Sequence, residues 1–196
     1  MTPDETWAHI DAQRVRLADL LETLTPDQWT TRSLCPEWTV REVAAHLTQS
    51  TMDWRRMGWE AVRSGFRFNA MMSRVAREDA RTPDEIVTAL RAMAGVRRRP
   101  PGTAVADPLT DVLVHGQDIA LPLGIEFPMP AGPAVVAAER LWGMGFPFRA
   151  RKRFAGIELR ATDADFRVGR GRPVAGPIGD IVLALSGRNS HLVPSV

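Results

Sequence analysis

The chain has 196 residues, 44% of them apolar and 24% charged, with a formal net charge of +2; this suits one main soluble domain with a modest appendage. No apolar run approaches the roughly 20 residues that a spanning helix needs, and the acidic, polar start Met1-Thr2-Pro3-Asp4-Glu5 has neither the basic nor the apolar part of a secretory signal, so a cytoplasmic protein is expected. Cys35 stands alone, which excludes a disulfide framework and a cysteine zinc knuckle and leaves histidine and carboxylate as metal ligands.

The helix-start pattern Thr-Pro-Asp-Glu/Gln recurs at Thr2, Thr25 and Thr82, each time with Thr at the cap, Pro in the first turn and an acid or amide three residues on. The first opens a helix whose apolar stripe runs from Trp7 and Ile10 to about Leu24; the second opens only a short turn carrying Trp29. Thr39 and Glu42 form another capping box, with Trp38 ahead of it, and fix the start of a helix through Val40, Val43, Ala44 and Leu47. His46 sits beside Val43 on the edge of that helix's apolar face.

Gly58 and Gly65 are expected to break or bend the continuation through Trp54 and Trp59, and the stretch from Phe66 to Glu78 reads as a weakly patterned helix. The Thr82 box opens a helix through Ile86, Val87, Leu90 and Met93, ending before the linker from Arg97 to Gly102. Asp107-Pro108 then reads as the cap of the next helix. A change of character near 125–132 divides the chain into a helical bundle, 1–128, and a small α+β domain, 129–196. In the latter a short helix around Val135 to Trp142 precedes alternating segments at Ile157 to Thr162, Phe166 to Val168 and Pro173-Val174. With turns at Asp163 to Asp165 and Gly169 to Gly171, these predict a short antiparallel sheet. A last helix runs from Ile178 to Leu185 and stops at Gly187.

Candidate chemistry concentrates in Asp111-Val112-Leu113-Val114-His115-Gly116-Gln117-Asp118. Asp111, His115 and Asp118 lie at i, i+4 and i+7, on one stripe of an otherwise apolar helix. With the inward His46, the pair Asp111 and His115 would give three mixed ligands from facing helices and an open fourth position, the pattern of a catalytic metal. Ligand type alone admits zinc, iron, nickel or manganese. Each residue alone is better explained as a satisfied core histidine or a first-turn acid; only together, on separate apolar helices, do they weigh equally towards a metal site. Asp118 either orients an imidazole or faces water. His9 and His191 have no partner at ligand spacing, Cys35 reads as packing, and Trp38 and Trp54 read as core, although both could line a pocket. The basic spots at Arg97-Arg98-Arg99 and at Arg167, Arg170 and Arg172 are not interleaved with aromatic residues and read as solvated faces, so nucleic acid is not an expected partner.

The segments from Cys35 to Leu47 and from Asp111 to Ala120 resemble the actinobacterial mycothiol-dependent maleylpyruvate isomerase family of the DinB-like superfamily. Gly156 to Asp163, Gly176-Pro177 and Leu185 to Arg188 resemble that family's C-terminal domain. The resemblance implies a mainly α fold, a DinB-like four-helix bundle followed by a small α+β domain. It also implies a divalent metal, expected to be zinc, held by His46, Asp111 and His115, with mycothiol as thiol cosubstrate. The activity implied is that of a metal-dependent isomerase or thiol S-transferase acting on a small electrophile, in a monomer or homodimer. Relatives carry Glu where this chain has Asp111, one methylene shorter, and use a C-terminal arginine near the site, for which Arg188 is the catalytic candidate. The competing class is a non-enzymatic metal-binding bundle serving as a regulatory or partner module.

Overall fold

The computed structural model describes residues 1–36, 38–51, 74–99, 102–188 and 192. All four expected capping boxes form. The Thr2, Thr25, Thr39 and Thr82 backbone N–H groups donate to Glu5, Gln28, Glu42 and Glu85 at 2.7, 2.9, 2.6 and 2.7 Å, and each threonine hydroxyl accepts from the N3 amide in return. Each box satisfies two otherwise orphaned donors, so these helix starts are set locally. They open α1 (Pro3–Glu22), the short α2 (Pro26–Thr30), α3 (Val40–Leu47) and α4 (Pro83–Ala92). The expected breaks at Gly58 and Gly65 and most of the weak helix beginning at Phe66 lie outside the described residues; 74–77 are helical.

The next helix, α5 (Ala106–Ala120), starts without a side-chain cap. Asp107 was expected to cap it, but it lies inside the first turn, where its carboxylate accepts from Ala104 N at 2.7 Å. From Pro108 to Ala120 every residue of α5 except Asp111 is buried. A helix apolar almost all round belongs at the centre of a protein, and α5 is central: α1 packs on α4 and α5, and α3 packs on the same two helices, which closes a four-helix bundle. α6 (Ala131–Gly143) covers the other side of α5 and is backed by α7 (Ala150–Arg153) and α8 (Ile178–Leu185). Two apolar clusters result. One joins Leu17, Leu21, Trp29, Trp38, Val43, Ile86 and Leu90; the other joins Trp7, Ile10, Leu109, Leu113, Leu141, Leu159 and Ile181. Both draw on α1 and α5.

The sheet comprises β1 (Ile157–Ala161), β2 (Arg167–Gly169) and β3 (Arg172–Gly176), in the order β2-β1-β3. It corrects the expected antiparallel arrangement: β2 runs antiparallel to β1, with Leu159 opposite Val168, but β3 runs parallel to β1, with Leu159 opposite Val174. Between them the chain does not turn back on β2 but passes around the start of β1. A Cβ at Gly169 would strike the carbonyl oxygen of Ile157, and one at Gly171 the carbonyl oxygen of Gly156. Both glycines have positive φ, 84° and 122°, so only residues without a side chain allow so tight a passage. Asp163, in the turn after β1, accepts from Ile178 N at 2.7 Å and so caps the start of α8. No helix among the described residues is long and apolar enough to cross a membrane.

Candidate metal centre

α3 ends one residue after His46, and α5 runs beside it with Asp111 and His115 on the facing stripe. His46 Nε2 lies 3.7 Å from Asp111 Oδ1, and His115 Nε2 lies 3.4 Å from the same oxygen. One donor atom from each of the three residues falls within 4.8 Å of the others. Bonds of about 2.0–2.1 Å at tetrahedral angles set neighbouring donors about 3.4 Å apart, close to the 3.4 and 3.7 Å that separate Asp111 Oδ1 from the two imidazole nitrogens. The shorter aspartate still reaches both imidazoles. Exposure is graded, with side chains 10% accessible for His115, 13% for His46 and 34% for Asp111, the most exposed of the three.

Asp118 resolves the alternative left open by its sequence. It is fully buried, its Oδ2 lies 2.7 Å from His115 Nδ1, and it faces no water. With Nδ1 engaged, Nε2 is the nitrogen that His115 turns towards Asp111, 3.4 Å away, which is the orientation that a carboxylate behind a metal-binding histidine sets. The same carboxylate takes Arg188 in a two-pronged pair, Nη2 to Oδ2 at 2.6 Å and Nε to Oδ1 at 3.0 Å, while Arg188 Nη1 donates to Ser186 O at 3.1 Å. His46 is held differently. Its Nδ1 is buried with no hydrogen-bond partner among the described residues, and its ring packs against Trp38 and His115 at centroid distances of 4.9 and 5.0 Å.

The local charges reinforce one another. Burial opposes ionisation of Asp111, but the imidazoles beside it prevail and hold its carboxyl well below the usual range. Burial likewise disfavours a charged His115, yet Asp111 and Asp118 outweigh it and raise its pKa to about 9. Asp118 is also held low, burial being overcome by His115 and Arg188. Cys35 goes the other way: burial, then the nearby Asp118 carboxylate, pushes its thiol up to about 11. It is a poor nucleophile of its own.

These groups line a cavity of about 600 Å³ whose wall includes Trp38, Asp111, His115 and Arg188. Trp38 thus belongs both to the core and to the pocket. The α6–α7 connection adds Met144, Pro147 and Phe148 as an apolar wall, and above Asp111 the stripe on α5 continues to Thr110 and Asp107, the latter paired with Arg140. The chain matches the family described as the mycothiol maleylpyruvate isomerase N-terminal domain over residues 10–107. The chain belongs to this family. Within the maleylpyruvate isomerase match lie His46, Trp38 and the whole α3 box, whereas Asp111, His115 and Arg188 follow it.

The structure is similar to the crystal structure of the mycothiol-dependent maleylpyruvate isomerase, with TM-score 0.66 at 15% identity, covering 98% of this chain and 92% of that one. It is similar also to a histidine-to-alanine mutant of that isomerase, with TM-score 0.64 at 14% identity, covering 97% and 91%. At such identities the likeness establishes the fold. A comparison with curated protein sequences finds no match.

Of the residues expected from sequence, His46, Asp111 and His115 come together and Arg188 lines the same cavity; His9 does not reach it, and Trp54 and His191 lie outside the described residues. Sequence reasoning missed Asp107 and Arg140. Asp107 carried a signal, since it continues the 111–115 stripe by one turn, but Arg140 arrives from α6 and carried none.

Proposed function

We propose that this member of the maleylpyruvate isomerase family is a metal-dependent enzyme that uses mycothiol, as an isomerase or thiol S-transferase. The observation that carries this is the convergence of two imidazoles and a carboxylate, one donor atom from each within 4.8 Å, on a cavity large enough for a small ligand. His46, Asp111 and His115 would hold a divalent ion, with zinc suited to such a mixed set and an open position left for a ligand. Bound there, the ion supplies the positive charge that keeps a coordinated thiol deprotonated at neutral pH.

The remaining work falls to the chain's own groups. Asp118 holds His115 in one tautomer and one orientation. Trp38, tilted against both imidazoles at centroid distances of 4.9 and 6.1 Å, sets an apolar surface beside them and lowers the local dielectric, which strengthens charge interactions. Arg188 is the proposed catalytic residue: fixed by Asp118 and Ser186 O, it presents its cation to the cavity and receives the negative charge that develops on an electrophile when a thiolate adds to it. In an isomerase the thiolate adds to one end of a conjugated double bond and the electron pair moves to the carbonyl oxygen. Rotation about the new single bond follows, and the thiolate leaves. In a transferase it stays.

Metal analysis of the purified protein, followed by incubation with mycothiol and maleylpyruvate or another electrophile, tests this. One bound divalent ion and thiol-dependent turnover are expected. A protein that binds metal but is inert towards every thiol and electrophile would instead be a metal-stabilised module.

A further inference from the structure

In the cavity wall, Arg140 from α6 meets Asp107 from α5, Nε to Oδ1 at 2.5 Å and Nη2 to Oδ2 at 3.1 Å. Both side chains are partly exposed and line the cavity. Asp107 and Asp111 are one helical turn apart and Asp107 and His115 two, so the pair lies about 6 Å from Asp111 and about 12 Å from His115 along the α5 axis. A ligand with sulfur at the donor cluster can therefore reach this pair with a portion one to two helical turns away.

The chemistry of the pair selects what that portion is. Arg140 Nη1 has no protein partner among the described residues and keeps its donors, as does the second hydrogen of Nη2. Asp107 Oδ1 takes only the Arg140 Nε–H and retains acceptor capacity. Thr110 spends its hydroxyl hydrogen on Ala106 O at 2.7 Å, which leaves its oxygen to accept. Donors and acceptors thus alternate along this wall. Asp107 already neutralises Arg140, so the pair offers donors and acceptors without net charge. A carbohydrate or cyclitol hydroxyl, donor and acceptor at once, matches it.

We propose that Arg140 and Asp107 form a specificity-determining subsite for the polyhydroxylated portion of the thiol ligand, distinct from the donors that would hold the metal and from Arg188. The assignment rests on the proposed mycothiol chemistry, mycothiol being a cysteine thiol carried on glucosaminyl-inositol. Because Asp107 is already held by Ala104 N and Arg140, the subsite is ordered before the ligand arrives.

The test compares mycothiol, N-acetylcysteine as a thiol without carbohydrate, and glucosaminyl-inositol as the carbohydrate without thiol. Glucosaminyl-inositol should bind the metal-free protein in calorimetry, and Arg140→Met or Asp107→Asn should weaken it about tenfold or more, as expected for a lost polar partner. KM for mycothiol should rise in parallel, with kcat and all constants for N-acetylcysteine unchanged. Equal effects on both thiols, or none on either, would overturn the subsite. Should the single variants not fold, the exchange Asp107→Arg with Arg140→Asp restores the α5–α6 ion pair while transposing donors and acceptors. Recovered stability without recovered carbohydrate binding supports the subsite, and recovery of both overturns it. Binding of glucosaminyl-inositol to a protein that uses neither thiol would refute the enzymatic function and leave the subsite standing. Turnover of both thiols with equal KM would do the reverse.

Discussion

Asp118 binds His115 Nδ1 at 2.7 Å and Arg188 Nη2 at 2.6 Å through the same oxygen, Oδ2, so one buried carboxylate sets the orientation of a proposed metal ligand and the position of a proposed catalytic cation. Asp118→Asn should therefore loosen both at once. A weakened partner behind a ligating histidine typically lowers metal affinity about 10–100-fold, which competition with a chelator would measure. Asp118→Ala should in addition destabilise the fold by about 3 kcal/mol or more, because it leaves the Arg188 charge buried and unpaired. Unchanged zinc affinity in the Asn variant would show that the charge of Asp118 does not support metal binding through His115.

His46→Ala removes one donor and a ring that packs on Trp38. Metal content should fall to background while circular dichroism retains the helical signature, since α3 keeps its Thr39 box and its apolar face. Collapse of the fold on this change would assign the site a structural role.

The metal-free protein should show a pH dependence of definite sign. The pKa of His115 is raised from 6.5 to about 9 in the fold, so the stabilisation from its charged form is fully present below 6.5 and is lost as pH rises through about 9. Asp111, held low, contributes above the ordinary carboxylate range and loses that contribution only as pH falls through its folded value. Thermal scans should thus show Tm decreasing between pH 6.5 and 9, and His115→Gln should flatten that slope. Zinc uptake should release a proton from His115 below about pH 9 and none from it above. A Tm of the metal-free protein that stays level from pH 6.5 to 9 would contradict the coupling of His115 to its two carboxylates.

Gly171→Ala tests the sheet. Its φ of 122° and the carbonyl of Gly156 leave no place for a Cβ, so the substitution should cost about 2 kcal/mol or more, read from denaturant midpoints. Gly95→Ala, where the backbone also has positive φ but a Cβ meets open space, should cost less. Equal losses at the two positions would mean that the close passage around β1 is not what demands glycine.

Much of this protein is legible from short-range pattern. The capping boxes at Thr2, Thr25, Thr39 and Thr82, and the stop at Gly187, are decided within a few residues by backbone hydrogen bonds, and so they appear in the structure where the sequence places them. The pairing of Asp111 with His115 is equally local, because helical periodicity alone puts them on one stripe. Tertiary structure decided the rest. The meeting of His46 with that stripe, the burial of Asp118 and its grip on Arg188, and the arrival of Arg140 at Asp107 depend on how α3, α6 and the tail after α8 pack around α5, and no spacing within a single segment encodes such contacts. The parallel course of β3 was hidden for the same reason: Gly169 to Gly171 reads as a turn, and only the presence of β1 between the two strands makes it a crossing.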